Sequence, residues 1–148
     1  PENIPDDDET SIVHGDYRLD NMILKNNKVI GVLDWELSTL GHPIADFSYH
    51  CLTWGTEPMY YDYKKLKELG VPNEVEYRDM YSEATGKDLS NNWEFYMAFN
   101  IFKVAAICQG ILGRVRDGTA ASKHAEDRGM KVYPLSEGAW SIVENNFK

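Results

Sequence analysis

Apolar positions change period along the chain. Between residues 22 and 34 they form two short runs, MILK and KVIGVLD, on either side of Asn26-Asn27, a pair that tolerates positive φ. That pattern predicts a β-hairpin of Met22 to Lys25 and Lys28 to Asp34. Ser11 to Val13 predicts a very short strand before it. Residues 37–43 read as loop. Pro43 suits the first turn of a helix that continues from Ile44 to Trp54, with apolar residues at 44, 47, 51 and 54. Tyr61 to Leu69 and Asn73 to Thr85 predict two amphipathic helices, stopped by Gly70 with Pro72 and by Gly86. Ser90 suits the N-cap of the longest helix, Trp93 to Arg116. On it Trp93, Met97, Ile101, Val104, Cys108, Leu112 and Val115 share a face that Phe95, Phe99 and Phe102 widen. So wide a face predicts a helix at the centre of a core. Its GxxG, Gly110 to Gly113, reads as a packing feature. Ala120 to Lys131 and Leu135 to Phe147 predict two further helices, broken near Pro134. The expected fold class is α+β, mainly α with a small β-hairpin.

Composition narrows the function classes. At 148 residues and 43% hydrophobic, the chain is one ordinary domain or part of a larger one. Fifteen Lys and Arg against 24 Asp and Glu leave a net charge of −9, and the pI is near 4.8. Nucleic acid and anionic lipid both need basic surface, so neither is an expected partner. Glu2, Asp6, Asp7, Asp8 and Glu9 make residues 1–10 an acidic segment expected to be solvated and disordered, with the folded part at 11–148. Cys51 and Cys108 lie in apolar surroundings outside any CxxC pair. They read as reduced core residues, and the expected location is cytoplasmic. Asn100, Lys103 and Gln109 interrupt the apolar stretch from Phe95 to Val115, which predicts a buried helix rather than a membrane span.

The polar cluster in SIVHGDYRLDN, residues 11–21, carries the candidate chemistry. Asp16 and Asn21 stand five apart on a loop between strands, and Asp34 follows Asp16 by 18 residues, at the far end of the hairpin. A hairpin returns its far end toward its near end, so the three side chains can converge. Two carboxylates and an amide oxygen form a hard, oxygen-only set. It suits Mg²⁺, commonly held by one or two carboxylates with substrate phosphates completing the shell. It suits zinc poorly, because His14 and His42 lack a helical HExxH partner.

HGDYRLDN, then VIGVLDWELSTLGHPIADFSY, resembles the aminoglycoside phosphotransferase family of small-molecule kinases. Within that family the wording is most similar to the branch fused to acyl-CoA dehydrogenases. HGDxxxxN, LDWE and GxPxxDF carry the resemblance in that order over residues 12–50. It implies the C-terminal lobe of a protein-kinase-like fold and transfer of a phosphoryl group from ATP, with Mg²⁺, to a hydroxyl of a small molecule. That acceptor could be an aminosugar, a choline-like cation or a hydroxyacyl compound. By the resemblance, Asp16 accepts or orients the hydroxyl proton, and Asn21 and Asp34 hold Mg²⁺ against the nucleotide phosphates. Arg18 faces the transferring phosphate or, equally, a surface ion pair. Asp46 braces the catalytic loop through backbone hydrogen bonds, the alternative being helix-dipole complementarity. His14 reads as scaffold, Gly15 as a point of close backbone approach, Trp35 as core and Asp20 as a carboxylate facing water. Glu36 faces the pocket or solvent, and His42 takes no role.

Kinases of this kind also carry a phosphate-covering loop and a strand lysine on an N-terminal lobe. Only 13 residues precede His14, none of them lysine or glycine. The expectation is a C-terminal lobe missing its partner lobe, inactive alone and prone to self-association through the face so exposed. Two other readings stand beside it. Asp16, Asn21, Asp34, His42 and Asp46 could form a metal-dependent phosphohydrolase site, or the lobe could be a non-catalytic binding module.

Overall fold

The computed structural model describes residues 3–6, 8–55 and 63–147. The chain forms two compact units, one of Asp6–Trp93 and one of Glu94–Lys148 with Pro1–Pro5. The architecture is α+β, mainly helical with small antiparallel sheets.

In the first unit β1 (Ser11–Val13) leads into the polar loop. β2 (Met22–Lys25) and β3 (Lys28–Val32) form the expected hairpin. Asn26 and Asn27 sit at φ 51° and 59°, the left-handed pair that matches the twist of two antiparallel strands. Pairing passes from Ile23↔Gly31 to Leu24↔Val29, so Ile30 bulges. The strand stops at Val32, short of Asp34, which adopts a left-handed backbone at φ 65° and turns the chain into a short 3₁₀ turn, Trp35–Leu37. The stretch predicted as loop at 37–43 instead contains β4 (Thr39–Gly41), antiparallel to β1 with Ile12 opposite Leu40. Three residues carry no readable alternation, and only the distant β1 makes them a strand.

Helix α1 (Pro43–Gly55) begins at the predicted proline, and Ile44, Phe47 and Cys51 on its apolar face are buried. The Ile44 amide donates to Nδ1 of His42, 3.3 Å away, so His42 caps the helix start. Cys51 and Cys108 are both free and buried, and burial pushes the Cys51 thiol up to about 12. α2 (Tyr63–Glu68) falls inside its expected range, whose residues 61 and 62 lie outside the described residues. α3 (Glu74–Thr85) has a capping box between Asn73 and Glu76 and ends at Gly86 in the left-handed conformation. Its Tyr81 stacks on Phe47 at 3.8 Å, while Arg78 lies 4.3 Å from the ring centre of Trp93. Glu9, expected to be disordered, is paired here with Lys87.

α4 (Trp93–Arg116) starts three residues after Ser90. Ser90 does not cap it, because the position before Trp93 is Asn92, and Ser90 lies two residues further out, its amide turned back to Asp88 Oδ1 at 2.8 Å. By length and composition alone α4 could cross a membrane. Its buried stripe is Trp93, Tyr96, Met97, Asn100, Ile101, Ala105 and Cys108, and Phe99 and Phe102 are instead exposed. Those two phenylalanines point off the stripe by helical phase, so the buried face is narrower than their hydrophobicity suggested. A Cβ on Gly110 would meet only the Arg114 side chain, at 3.9 Å, and one on Gly113 nothing within 4 Å, so no close approach among the described residues requires glycine at either GxxG position.

α5 (Ala125–Met130) is shorter than the helix expected from Ala120. Ser122 takes the His124 amide on its hydroxyl and the Ala125 amide on its carbonyl, and so holds a turn where the longer helix would run. Gly129 lets α5 approach α4, since a Cβ there would lie 2.6 Å from Leu112 Cγ. α6 (Val132–Asn146) runs through Pro134 rather than starting after it. In the first turn the amide that proline lacks has no helical partner to lose.

Candidate active site

The loop from His14 to Asn21 is built mainly by backbone contacts. Gly15 stands at φ +82°, and a Cβ there would come within 2.8 Å of the Leu37 carbonyl oxygen, so only glycine fits. The two Asp46 carboxylate oxygens accept the His14 and Gly15 amides at 2.9 and 2.8 Å. His14 is 3% exposed. Its Nε2 lies 2.8 Å from the Leu33 carbonyl, which can only accept, so Nε2 carries the proton. Nδ1 then accepts the Asp16 amide at 3.2 Å. Both ring nitrogens are committed to the backbone.

Leu33 joins the loop to the hairpin. Its carbonyl takes the His14 proton, and its amide donates to the Asn21 carbonyl at 2.8 Å. This double tie brings the next residue, Asp34, beside Asn21. Asn21 Nδ2 donates to the Asp16 carbonyl at 2.9 Å and to Asp16 Oδ2 at 3.1 Å. The amide nitrogen is thus spent within the loop, and its oxygen is left over. The Asp34 carboxylate is exposed and accepts no hydrogen bond from a described residue. Asp16 and Asn21 therefore meet directly, and Asp34 joins them through Leu33.

Arg18 pairs with Asp20 on the exposed side of the loop. That contact, ahead of the nearby Asp16 charge, raises the Arg18 pKa. Such an exposed pair contributes about 0–1 kcal/mol to stability. Asp20 is thus solvent-facing but partnered. Trp35 corrects the core reading, being 49% exposed. It lies over the His14 ring at 4.7 Å and donates from Nε1 to the Val32 carbonyl at 2.9 Å. Two α1 residues that the sequence did not flag sense or touch the loop, Tyr49 through the Asp16 charge and His50 by a hydrogen bond. Tyr49 has its pKa raised by burial and by the Asp16 charge. His50 lies 2.7 Å from the Tyr17 carbonyl. The signal for His50 is its spacing from Asp46, four residues on one helix, which places both on one face. A cavity of about 460 Å³ in this unit is lined by Glu9, Ile44, Lys87 and Asp88 among others, and by no residue of the loop.

The donor set fits a divalent cation of the Mg²⁺ type. It offers one amide oxygen and one carboxylate, neither accepting a hydrogen bond from a described residue, and both are donor types that Mg²⁺ takes alongside phosphate oxygens. Among the described residues no three His, Cys, Asp or Glu side chains gather in metal-holding geometry. The protein therefore supplies only part of such a shell.

The profile described as the phosphotransferase enzyme family matches residues 1–99. The chain belongs to this family. A crystal structure from Ralstonia eutropha JMP134, provisionally named an aminoglycoside phosphotransferase, superposes with a TM-score of 0.87 at 45% identity. It covers 98% of this chain and 46% of its own. The family's kinase-like fold is therefore the fold of this chain. Mouse acyl-CoA dehydrogenase family member 10 is 42% identical over 150 residues, and human family member 11 is 36% identical over 152. They match 97% and 98% of this chain, which spans only 14% and 20% of their lengths. The resemblance to the dehydrogenase-linked branch is borne out by these relatives.

Proposed function

We propose that this chain carries the hydroxyl-activating and metal-binding groups of a phosphotransferase that moves a phosphoryl group from ATP to a hydroxyl of a small molecule. The observation that carries the reading is the hand-off at Asn21. Its Nδ2 donates to Asp16, which leaves its own oxygen as a potential metal ligand, while the Leu33 amide bond to the Asn21 carbonyl ties the strand end that carries Asp34 to the loop. In this reading Asp16 holds the acceptor hydroxyl and takes its proton as the oxygen attacks the γ-phosphorus. The bond from that phosphorus to the bridging oxygen breaks, and ADP leaves. Asn21 and Asp34 would hold Mg²⁺, which when bound neutralises charge on the donor phosphates. Asp46 keeps the loop backbone in register while this happens. Arg18 reaches a phosphate only by giving up Asp20.

The chain spans 46% of the solved relative. We propose that turnover requires the longer polypeptide and that this chain alone is inactive. Ile12, Leu19, Leu37 and Leu40 are 74%, 67%, 59% and 70% exposed in the first unit, and a second copy is the expected cover for them when this chain is studied by itself. The absence of a three-ligand cluster among the described residues disfavours the phosphohydrolase reading.

The test uses Mn²⁺ as a paramagnetic probe on this chain and radiolabelled ATP on the longer polypeptide. Saturable Mn²⁺ binding that Asp34→Ala abolishes supports the metal assignment, and its absence in the wild type overturns it. In the longer polypeptide Asp16→Asn is expected to slow transfer by about 10²–10⁴-fold. Unchanged turnover would remove Asp16 from its role.

A further inference from the structure

Helix α1 grips the loop at two places one helical turn apart, with opposite polarity. Asp46 accepts the amides of His14 and Gly15. His50, on the same face, meets the Tyr17 carbonyl at 2.7 Å. A carbonyl oxygen only accepts, so Nδ1 of His50 carries the proton. The two contacts close on opposite ends of His14–Tyr17, and Asp16 lies between them. Further along, the far side is tied by the Leu33 amide, which donates to the Asn21 carbonyl at 2.8 Å, and by bonds within the loop. The Asn21 amide reaches the Arg18 carbonyl at 3.0 Å, and Asn21 Nδ2 reaches the Asp16 carbonyl. The His50 ring is seated among Tyr17, Trp54 and Tyr77, with ring centres 5.6, 6.0 and 5.6 Å away. Burial lowers its pKa, so the ring is neutral near pH 7 and only one nitrogen carries hydrogen.

We propose that His50 is a positioning residue for Asp16: by holding the Tyr17 carbonyl it anchors the C-terminal side of the aspartate to the helical scaffold, as Asp46 anchors the N-terminal side. Its catalytic consequence rests on the phosphotransferase reading, while the anchoring itself does not.

Two measurements on this chain test the anchoring. In the wild type, long-range ¹H–¹⁵N spectra of the imidazole are expected to report the Nδ1–H tautomer. The Nε2–H tautomer, which free histidine prefers in water, would overturn the proposal without any variant having to fold. The second measurement compares His50→Phe, which keeps a ring but loses the donor, with His50→Asn, whose amide nitrogen can stand near the Nδ1 position. Amide exchange at Asp16 and Asn21 is expected to speed up about threefold to tenfold in the Phe variant and to return to within about twofold of wild type in the Asn variant. Exchange at His14 and Gly15, held by Asp46, should stay within about twofold in both. Wild-type exchange in the Phe variant, or an Asn variant as perturbed as the Phe variant, would overturn the proposal, the latter assigning His50 to ring packing. In the longer polypeptide the Phe variant is expected to lose about tenfold in kcat, with KM for ATP within about twofold, and the Asn variant to recover it. If the wild-type polypeptide transfers no phosphoryl group, the functional reading fails, and the tautomer and exchange results still decide the anchoring.

Discussion

Replacing Asp46 separates two roles that the sequence allowed it. One is bracing of the catalytic loop, and the other is charge complementarity at the first turn of α1. The structure gives the carboxylate two backbone donors, the His14 amide at 2.9 Å and the Gly15 amide at 2.8 Å. Asp46→Ala leaves both without a partner. Each orphaned donor costs about 1–3 kcal/mol, and Gly15 is only half-buried, so water recovers part of that loss. The expected loss is about 2–3 kcal/mol. With a urea m-value of about 2 kcal/mol/M for a chain of this size, the midpoint should fall by about 1–1.5 M. Asp46→Asn keeps one acceptor oxygen and turns an NH₂ toward the other donor, so about half the loss is expected. A charge–dipole role behaves differently. It is worth about 0.3–1 kcal/mol, and Asn would lose as much of it as Ala. Urea unfolding of the three proteins, at constant m, decides between them. An Ala variant within about 0.5 kcal/mol of wild type, or an Asn variant equal to it, would refute the bracing argument.

Asp34 occupies a left-handed backbone at φ 65° that glycine adopts without strain. Asp34→Gly is therefore expected to be as stable as wild type or up to about 1 kcal/mol more so, by thermal melting, while losing Mn²⁺ binding altogether; a clear destabilisation would argue against strain at this position. Gly129→Ala should drive a methyl into Leu112, whose Cγ lies 2.6 Å from the Cβ position, and cost about 1–3 kcal/mol. That is a drop in Tm of about 3–10 °C by calorimetry, and an unchanged Tm would mean that α5 and α4 separate freely there. His50 has its pKa lowered from 6.5, chiefly by burial. Below pH 6.5 the unfolded chain binds that proton first, so the His50 contribution to stability falls with pH toward the depressed folded value and is fully present above the unfolded one. The stability difference between wild type and His50→Asn should accordingly be larger at pH 7.5 than at pH 5, and a flat difference would refute the shift.

Local chemistry made several elements legible from the sequence alone. Asn26-Asn27 makes its turn because two adjacent residues tolerant of positive φ suit no other connection between those runs. Asn73 and Glu76 cap α3 reciprocally, and Pro43 opens α1, because each satisfies or removes orphan amides at a helix start. The order HGDxxxxN, LDWE, GxPxxDF identified the family and named Asp16, Asn21, Asp34 and Asp46 as candidates, since residue type and spacing are readable without coordinates. The rest depended on which distant group arrives beside a residue. β4 is a strand only because β1 pairs with it. Trp35 and Phe102 are as hydrophobic as core residues, yet exposure is a property of what covers them, and sequence carries no record of the cover. His50 meets Tyr17, 33 residues away, through a backbone path that nothing in either residue's own neighbourhood encodes. Sequence determined the chemical inventory of the loop and its family; tertiary structure alone decided which carbonyl each imidazole holds and which carboxylate oxygen each amide finds, because a hydrogen bond depends on distances of a few tenths of an ångström that only the packed chain sets.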